Sequence, residues 1–396
     1  MEIKDAGIIA LVILIVVVAG VAVFEIADMA SGTGSFGQDF PNDTVPASAG
    51  TVSKDRLSVS SQNAVQNGSC RTITDMAGRK VTIPANVTRV LGSFIIYYVA
   101  PEKIVSWDSN LTSDTKKIYS TLPDNITIIS SGSKNYEAQI AMHPDLVFIS
   151  CGDGNAIAYD SVNLTQEKYG ALPAVCLNNT QNVTNAEAVF RFLGNVLDKP
   201  ERADELIRYY RGTLDEIQDK TSVIPKENRT RVFYAEGANG LATDASGSIH
   251  SQLIDLCGGN NVATVPGFQS GSGMTAVTME AVMMWKPDVI ITTSRDFATN
   301  VYNDSNWQHI PAVQNHKIYV TPSKPGNWFD RSPSFYRIVG MSWTAHALYP
   351  DLFPDEWLRQ KVKEYFSVYH HYNVSDDELD DLLSPSSGSN IGQAAS

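Results

Sequence analysis

Positive charge is scarce in this 396-residue sequence, cysteine is scarcer, and several catalytic signatures are missing. The 43 acidic residues outnumber the 30 lysines and arginines, for a net charge of −13. That balance excludes non-specific nucleic-acid binding, which needs a basic surface to displace counterions. It also disfavours attachment to a membrane surface through a polybasic patch. Only four cysteines occur, Cys70, Cys151, Cys176 and Cys257, and none forms a CxxC pair. A zinc ribbon or thioredoxin-like site is therefore not indicated. There is no GxSxG elbow, no HExxH and no phosphate-binding loop; the glycine-rich QSGSGMT (269–275) lacks the lysine such a loop requires. DASGSIH (244–250) places Ser, His and Asp close in sequence, but adjacency along a chain does not make a triad.

Hydrophobic residues make up 43% and charged residues 18%, a globular composition with enough chain for two lobes. One uncharged run, AGIIALVILIVVVAGVAVF (6–24), stands apart. As a helix it spans roughly 28 Å, close to the bilayer core. Lys4 precedes it and acids follow, which favours an inside N-terminus and an outside remainder. A single uncleaved membrane anchor is the favoured reading, with the binding domain on the extracytoplasmic face. A cleaved signal peptide is the competing one. Eleven N-x-S/T sites, Asn42, Asn67, Asn86, Asn110, Asn125, Asn163, Asn178, Asn182, Asn228, Asn303 and Asn373, fit an exported and glycosylated surface. In an oxidising compartment the four cysteines permit disulfides. Cys151 and Cys176 can pair if the strands they end are neighbours; four free buried thiols are the other reading.

Residues 1–28 are the anchor segment and 29–70, rich in Ser, Gly, Asn and Thr, a flexible linker. An α/β lobe is expected over 71–197, a connecting helix over 198–222, a second α/β lobe with closing helices over 229–382, and a disordered tail over 383–396. Apolar runs such as ITIIS, DLVFIS and PAVCLN read as buried parallel strands. The halves echo each other: EAQIAMHPDLVFIS (137–150) resembles MEAVMMWKPDVIITTS (279–294), each with a helix end, a Pro-Asp and a strand. His143 and Lys286 hold equivalent positions, so a turn role is expected for His143. In DKPERADELIRYYRGTLDEIQDKT, Asp198 suits an N-cap, Pro200 the first turn and Glu201 a capping box. Ala203, Leu206, Ile207, Tyr210, Leu214 and Ile217 recur at helical spacing. One rigid helix between lobes allows only small relative motion.

With these phrases in view, the chain resembles the helical-backbone solute-binding proteins of ABC importers, the iron-siderophore, cobalamin and molybdate group. TDMAGRKVTIPANVTRVL, the two echoed phrases, SIHSQLIDLCGGNNVA and NWFDRSPSFYRIVGMSWTAHALYP carry the likeness over about 72–382. The closing YFSVYHHYNVSDDELDDLL resembles an extension of archaeal and some bacterial members. The resemblance implies two Rossmann-like α/β lobes joined by a single long helix, beside the N-terminal transmembrane helix read above. It implies no catalysis and no resident cofactor. Its cargo would be a metal chelate (iron-siderophore, corrinoid or haem-like), with a molybdate-like oxyanion as alternative. Partners would be an ABC permease with a cytoplasmic ATPase and, through the anchor, the membrane; a monomer is expected. A surface-anchored enzyme or cofactor-binding subunit on the same scaffold is the competing class.

The ligand of such a fold sits in the interlobe cleft, outside the carboxyl ends of the strands. Loops there offer Tyr97 and Tyr98, Lys134 and Tyr136, then Tyr234, Arg295 and the NWFDR loop. Trp328 or Phe329 can press a flat face on a macrocycle, and Arg331 can grip a carboxylate or oxyanion in a fork. Alternatively the two rings seal the loop and Arg331 pairs with Asp330. His250, in a loop entering a helix, can line the cleft, whereas the adjacent His370 and His371 are read as structural. Family members present one acid per lobe to the permease; Asp153 and Asp296 stand in the matching loops.

Overall fold

Short apolar runs become parallel strands here, most of them largely buried beneath helices, with Thr127–Ile128 as an exposed exception. The computed structural model describes residues 69–384 except 131, 152–155, 179–181, 268–273 and 331–334. A hairpin opens it, β1 (Cys70–Thr74) against β2 (Lys80–Pro84), with Thr72 facing Thr82. Three parallel strands follow, β3 (Val90–Leu91), β4 (Ile104–Trp107) and β5 (Thr127–Ile128), interleaved with α1 (Phe94–Val99) and α2 (Ser113–Ile118). After α3 (Tyr136–Ala141), strand β6 (Val147–Cys151) pairs in parallel across α4 (Ala156–Tyr169) with β7 (Ala174–Asn178). A parallel bridge from Val90 to Leu146 joins the two sets. A disulfide between Cys151 and Cys176 ties β6 to β7, with Cα atoms 5.9 Å apart. Asp75 in the hairpin turn accepts the Cys176 amide at 3.2 Å, docking β1–β2 on the same sheet.

Helix α5 (Ala186–Val196) leads to α6 (Pro200–Ser222), the long connector. Its buried face includes Ala203, Leu206, Ile207, Tyr210, Leu214 and Ile217, as the spacing requires, together with Thr213 and Thr221. Its start differs from expectation. Asp198 has φ +55 and pairs with Arg71 at 3.4 Å, while Lys199 takes the cap position without a side-chain cap bond.

The second half contains β8 (Arg231–Ala235), β9 (Ala242–Thr243), α7 (Gln252–Leu256), β10 (Asn260–Asn261) and β11 (Thr275–Ala276). Then come α8 (Met279–Trp285), β12 (Val289–Thr292), α9 (Arg295–Asn300), α10 (Pro311–Gln314) and β13 (Ile318–Val320). The parallel sheet runs β10-β8-β12-β13, with β9 and β11 as a separate antiparallel pair. The echoed phrases fold alike. His143 and Lys286 both end their helices in the left-handed region, at φ +50 and +44. Asp145 and Asp288 then each donate an amide at 2.8 Å to the carbonyl of the arginine opening or preceding the first lobe strand, Arg89 or Arg231. Each carboxylate accepts that same arginine's amide in return, at 2.9 and 3.1 Å.

Three helices close the chain, α11 (Tyr336–Leu348), α12 (Asp355–His370) and α13 (Asp376–Leu383). Helix α12 runs back antiparallel to α6. Arg202 donates to the Val368 carbonyl, the Tyr209 hydroxyl to Lys361 O at 2.7 Å, and Trp357 Nε1 to Glu216 at 2.7 Å. One apolar core therefore runs from Val90 and Ile95 through Leu206 to Tyr234 and Tyr365. The lobes are joined by α6 and braced by α12.

The transmembrane part of the expected fold is corrected. Among the described residues no helix is long and apolar enough to cross a membrane. The longest, α6, carries a charged outer face. The run 6–24 that suggested an anchor lies outside the described residues, as do nearly all of the expected linker and tail. The anchor, the membrane as a partner and the single-anchor location are accordingly withdrawn.

Candidate functional site

Near the carboxyl ends of the second lobe's strands lies a cluster of buried polar side chains, built by three segments. The first is β8, whose Tyr234 is wholly buried. The second is the turn after β13. Asn327 Oδ1 accepts the amides of Phe329 and Asp330 at 2.7 and 3.0 Å, fixing the turn, and Trp328 Nε1 donates to Lys324 O at 2.9 Å. Gly340 of α11 lies flush beneath it; a Cβ there would fall 1.7 Å from the Trp328 carbonyl oxygen. The third segment is the loop 244–251, stitched by Asn261 Nδ2 to Asp244 O at 3.2 Å and to Ser251 Oγ at 3.0 Å.

Asp330 is the hub. Its Oδ2 accepts the Tyr234 hydroxyl at 3.0 Å and its Oδ1 lies 2.8 Å from His250 Nδ1. Ser248 Oγ donates to Asp244 Oδ1 at 3.1 Å and accepts the His250 amide at 3.1 Å. Arg337, on α11, is buried beside them. Desolvation pulls its guanidinium down to about 10 against the opposing pull of Asp330, Tyr234 and Asp244, so it stays charged at neutral pH. Asp244, His250 and Asp330 offer ligand atoms within 4.8 Å of one another, a spacing within reach of one cation. The Tyr234 and Ser248 hydroxyls that already donate to these carboxylates, with the nearby charge of Arg337, make the set equally a polar scaffold. Gln252, two residues past His250, crosses to the first lobe. Its Nε2 donates to Asn182 Oδ1 at 2.9 Å and its Oε1 accepts the Val183 amide at 3.1 Å. The 250–252 stretch thus faces the opposite lobe.

The expected site residues fall into three groups. Tyr97, Tyr98, Tyr234, Trp328 and Phe329 are all 0% exposed. Tyr97 packs on Tyr119 at 4.9 Å between ring centres, and Tyr98 meets the Tyr365 hydroxyl at 3.2 Å, across the lobe seam. Phe329 packs on Tyr234 at 4.9 Å. Tyr136 is half-buried against Tyr169, while Lys134, Arg295 and Asp296 are exposed on loops or first helical turns at strand ends. Arg331 and Asp153 lie outside the described residues. Asp330, Asp244, Ser248 and Arg337 were not singled out from sequence as binding groups. The signal for Arg337 was an arginine inside an apolar helical run, YRIVGMSW, which only a buried counter-charge explains. A separate crevice of about 390 Å3 opens between α2, the 323–325 turn and α13, and none of the expected residues lines it.

Comparison with known proteins places this geometry. Residues 99–325 match the family model described as periplasmic binding protein. The molybdate-binding protein MolA of Haemophilus influenzae is 24% identical, over 78% of this chain and 93% of its own. An ABC transporter solute-binding protein from Sulfurospirillum deleyianum is 31% identical, with a TM-score of 0.67, covering 79% of this chain and 99% of that one. A periplasmic solute-binding protein from Veillonella parvula is 27% identical, with a TM-score of 0.64 over 81% and 98%. Members of this family carry solutes and do not transform them. The two bridged α/β lobes, the matched family model and these relatives together mean that the chain belongs to the periplasmic binding protein family, as a helical-backbone solute-binding component of an ABC importer.

Proposed function

We propose that the chain captures a compact metal oxyanion of the molybdate or tungstate class between its lobes and hands it to the permease of an ABC importer. The observation that carries this choice is the complete burial of Tyr97, Tyr98, Tyr234, Trp328 and Phe329. A corrinoid or aromatic chelate needs ring faces to lie against, and those rings were the basis for expecting one. The described residues near the strand ends include hydroxyls, an imidazole and cations, Ser133, Ser294, His250, Lys134 and Arg295, alongside the acids Asp108, Glu236 and Asp296. A small dianion is held by such convergent donors and cations. The alignment with MolA over nearly its whole length supports the same reading. The metal is part of the cargo rather than a resident cofactor. Asp296, exposed at the start of α9, and Asp153 are the acids proposed to meet basic groups of the permease.

Native mass spectrometry and calorimetry against sodium molybdate, sodium tungstate, sodium sulfate, cyanocobalamin and a ferric catecholate test the choice. Tight binding of molybdate or tungstate over sulfate is expected. Preferential binding of cobalamin or the ferric complex overturns it.

A further inference from the structure

We propose that the chain carries N-linked sugars on Asn86, Asn110, Asn125, Asn228, Asn303 and Asn373, while Asn178 and Asn182 stay bare. The first observation is a count. With 25 asparagines and 63 serines and threonines in 396 residues, chance gives about four N-x-S/T sequences (25 × 63/396), yet eleven occur. Eight of the eleven end in threonine, although serine is the commoner residue, 37 to 26. Such an excess, tying asparagine to the hydroxyl two residues on, is what a transferase that reads both groups selects. The second observation is that the fold keeps the six available. Each is exposed, none lies in an α-helix, and none has a side-chain hydrogen bond among the described residues. Asn86, Asn125 and Asn228 precede β3, β5 and β8, so they stand at the amino ends of parallel strands, opposite the cargo loops. Asn303 ends the turn after α9, Asn373 lies between α12 and α13, and Asn110 follows β4. Asn163 is exposed too, but it lies within α4 and its Oδ1 accepts Arg79 Nη1 at 3.3 Å, so it is not counted among the six. The third observation is the contrast with the remaining described pair. Asn178 ends β7 with its Oδ1 sealed from solvent. Asn182 is half-buried, and its Oδ1 accepts Gln252 Nε2 of the opposite lobe at 2.9 Å as well as the Thr184 amide and hydroxyl. The Cys151–Cys176 disulfide fits the oxidising compartment that such modification requires.

The donor is an oligosaccharide carried on a lipid phosphate. The asparagine Nδ2 attacks the anomeric carbon of the first sugar; a C–N bond forms and the C–O bond to phosphate breaks. The lipid phosphate leaves with the electron pair, and the Nδ2 proton passes to a base of the transferase. Nothing is oxidised or reduced. The product is bulky and strongly hydrated, which suits a strand edge or a turn and does not suit a contact between lobes. In the second lobe the two modified positions, Asn228 and Asn303, leave the carboxyl-end loops uncovered.

Peptide mapping by tandem mass spectrometry tests the proposal on the full chain, purified from the cells that make it and reduced before digestion. Oligosaccharide is expected on most of the six exposed asparagines, and the tryptic peptide 169–191, which holds both Asn178 and Asn182, is expected at its unmodified mass. Sugar on half of the six or fewer overturns the proposal, as does sugar on Asn178 or Asn182. Variants made in the same cells test the linkage at Asn125, whose partner Thr127 is exposed. Asn125→Gln and Thr127→Ala are each expected to lower the intact mass by one oligosaccharide, and Thr127→Ser to retain it. An intact mass that neither Asn125→Gln nor Thr127→Ala lowers overturns the N-linked assignment. None of these outcomes depends on which cargo the chain carries.

Discussion

His370 and His250 both sit near the junction of the two lobes, and their surroundings differ in kind. His370, at the end of α12, is wholly buried between the rings of Tyr336 and Phe366, with centroids 5.5 and 5.3 Å away. Tyr97, Tyr98 and Tyr119 of the first lobe and Tyr365 of α12 close around it. Neither of its nitrogens has a hydrogen-bond partner among the described residues, and burial holds its pKa well below the usual histidine value. His250 has Nδ1 2.8 Å from a carboxylate and keeps part of its side chain exposed. The difference comes from where each lies. Helices α1, α11 and α12 bring long apolar side chains to the seam, whereas the strand ends bring loops with Asp, Ser and Asn. The seam is thus an apolar joint between two lobes, and the cluster around His250 is a polar, hydrogen-bonded one.

The largest expected effect would break the separation between these regions. If Trp328 belongs to the core that seats the turn after β13, Trp328→Ala removes a large buried ring and costs about 3–5 kcal/mol of stability. Urea unfolding should show the midpoint fall while the slope is unchanged. A loss below about 1 kcal/mol together with lost tungstate binding would return Trp328 to the cleft wall.

An intermediate effect sharpens the reading of the seam. His370 stays neutral in the fold, so below about pH 6.5 the unfolded chain binds a proton that the folded one does not, and stability falls as pH falls. The slope from this one group is at most about 1.4 kcal/mol per pH unit. His371, also held low, adds in the same direction. His370→Phe removes two buried polar atoms and the proton linkage, so it should match or exceed wild-type stability at neutral pH and exceed it increasingly toward acid. Parallel urea curves at about pH 7.5 and pH 5.5 measure this. Equal acid sensitivity in the two proteins would mean that the ring is not sealed in the seam.

Much of the framework was legible because its causes are local. Apolar runs gave the strands, and the period of α6 named its buried face correctly. The doubled helix-Pro-Asp-strand phrase fixed the two lobes, since His143 and Lys286 make the same left-handed turn and Asp145 and Asp288 the same exchange with an arginine. The site was less legible because burial of an amphipathic ring is decided by distant packing. Nothing local distinguishes a Tyr97 facing the cleft from one facing Tyr119. Arg337 and Asp330 were missed as a pair because their partners lie on separate segments. The uncharged run at 6–24 matched the length of a membrane span, but no described helix carries that expectation further.

The smallest expected effects concern the exposed cations, and they separate steering from contact. Lys134 and Arg295 lie at strand ends of opposite lobes, each exposed. Their replacement by alanine should leave stability within about 0.5 kcal/mol. An exposed charge acts on a dianion mainly by attraction at a distance, which salt screens within about 8–10 Å. Lys134→Ala and Arg295→Ala should therefore slow tungstate capture a few-fold at low ionic strength, with little change in release and almost none in high salt. Stopped-flow tryptophan fluorescence at two salt concentrations reads both rates. A faster release that persists in high salt would instead make the substituted cation a direct ligand.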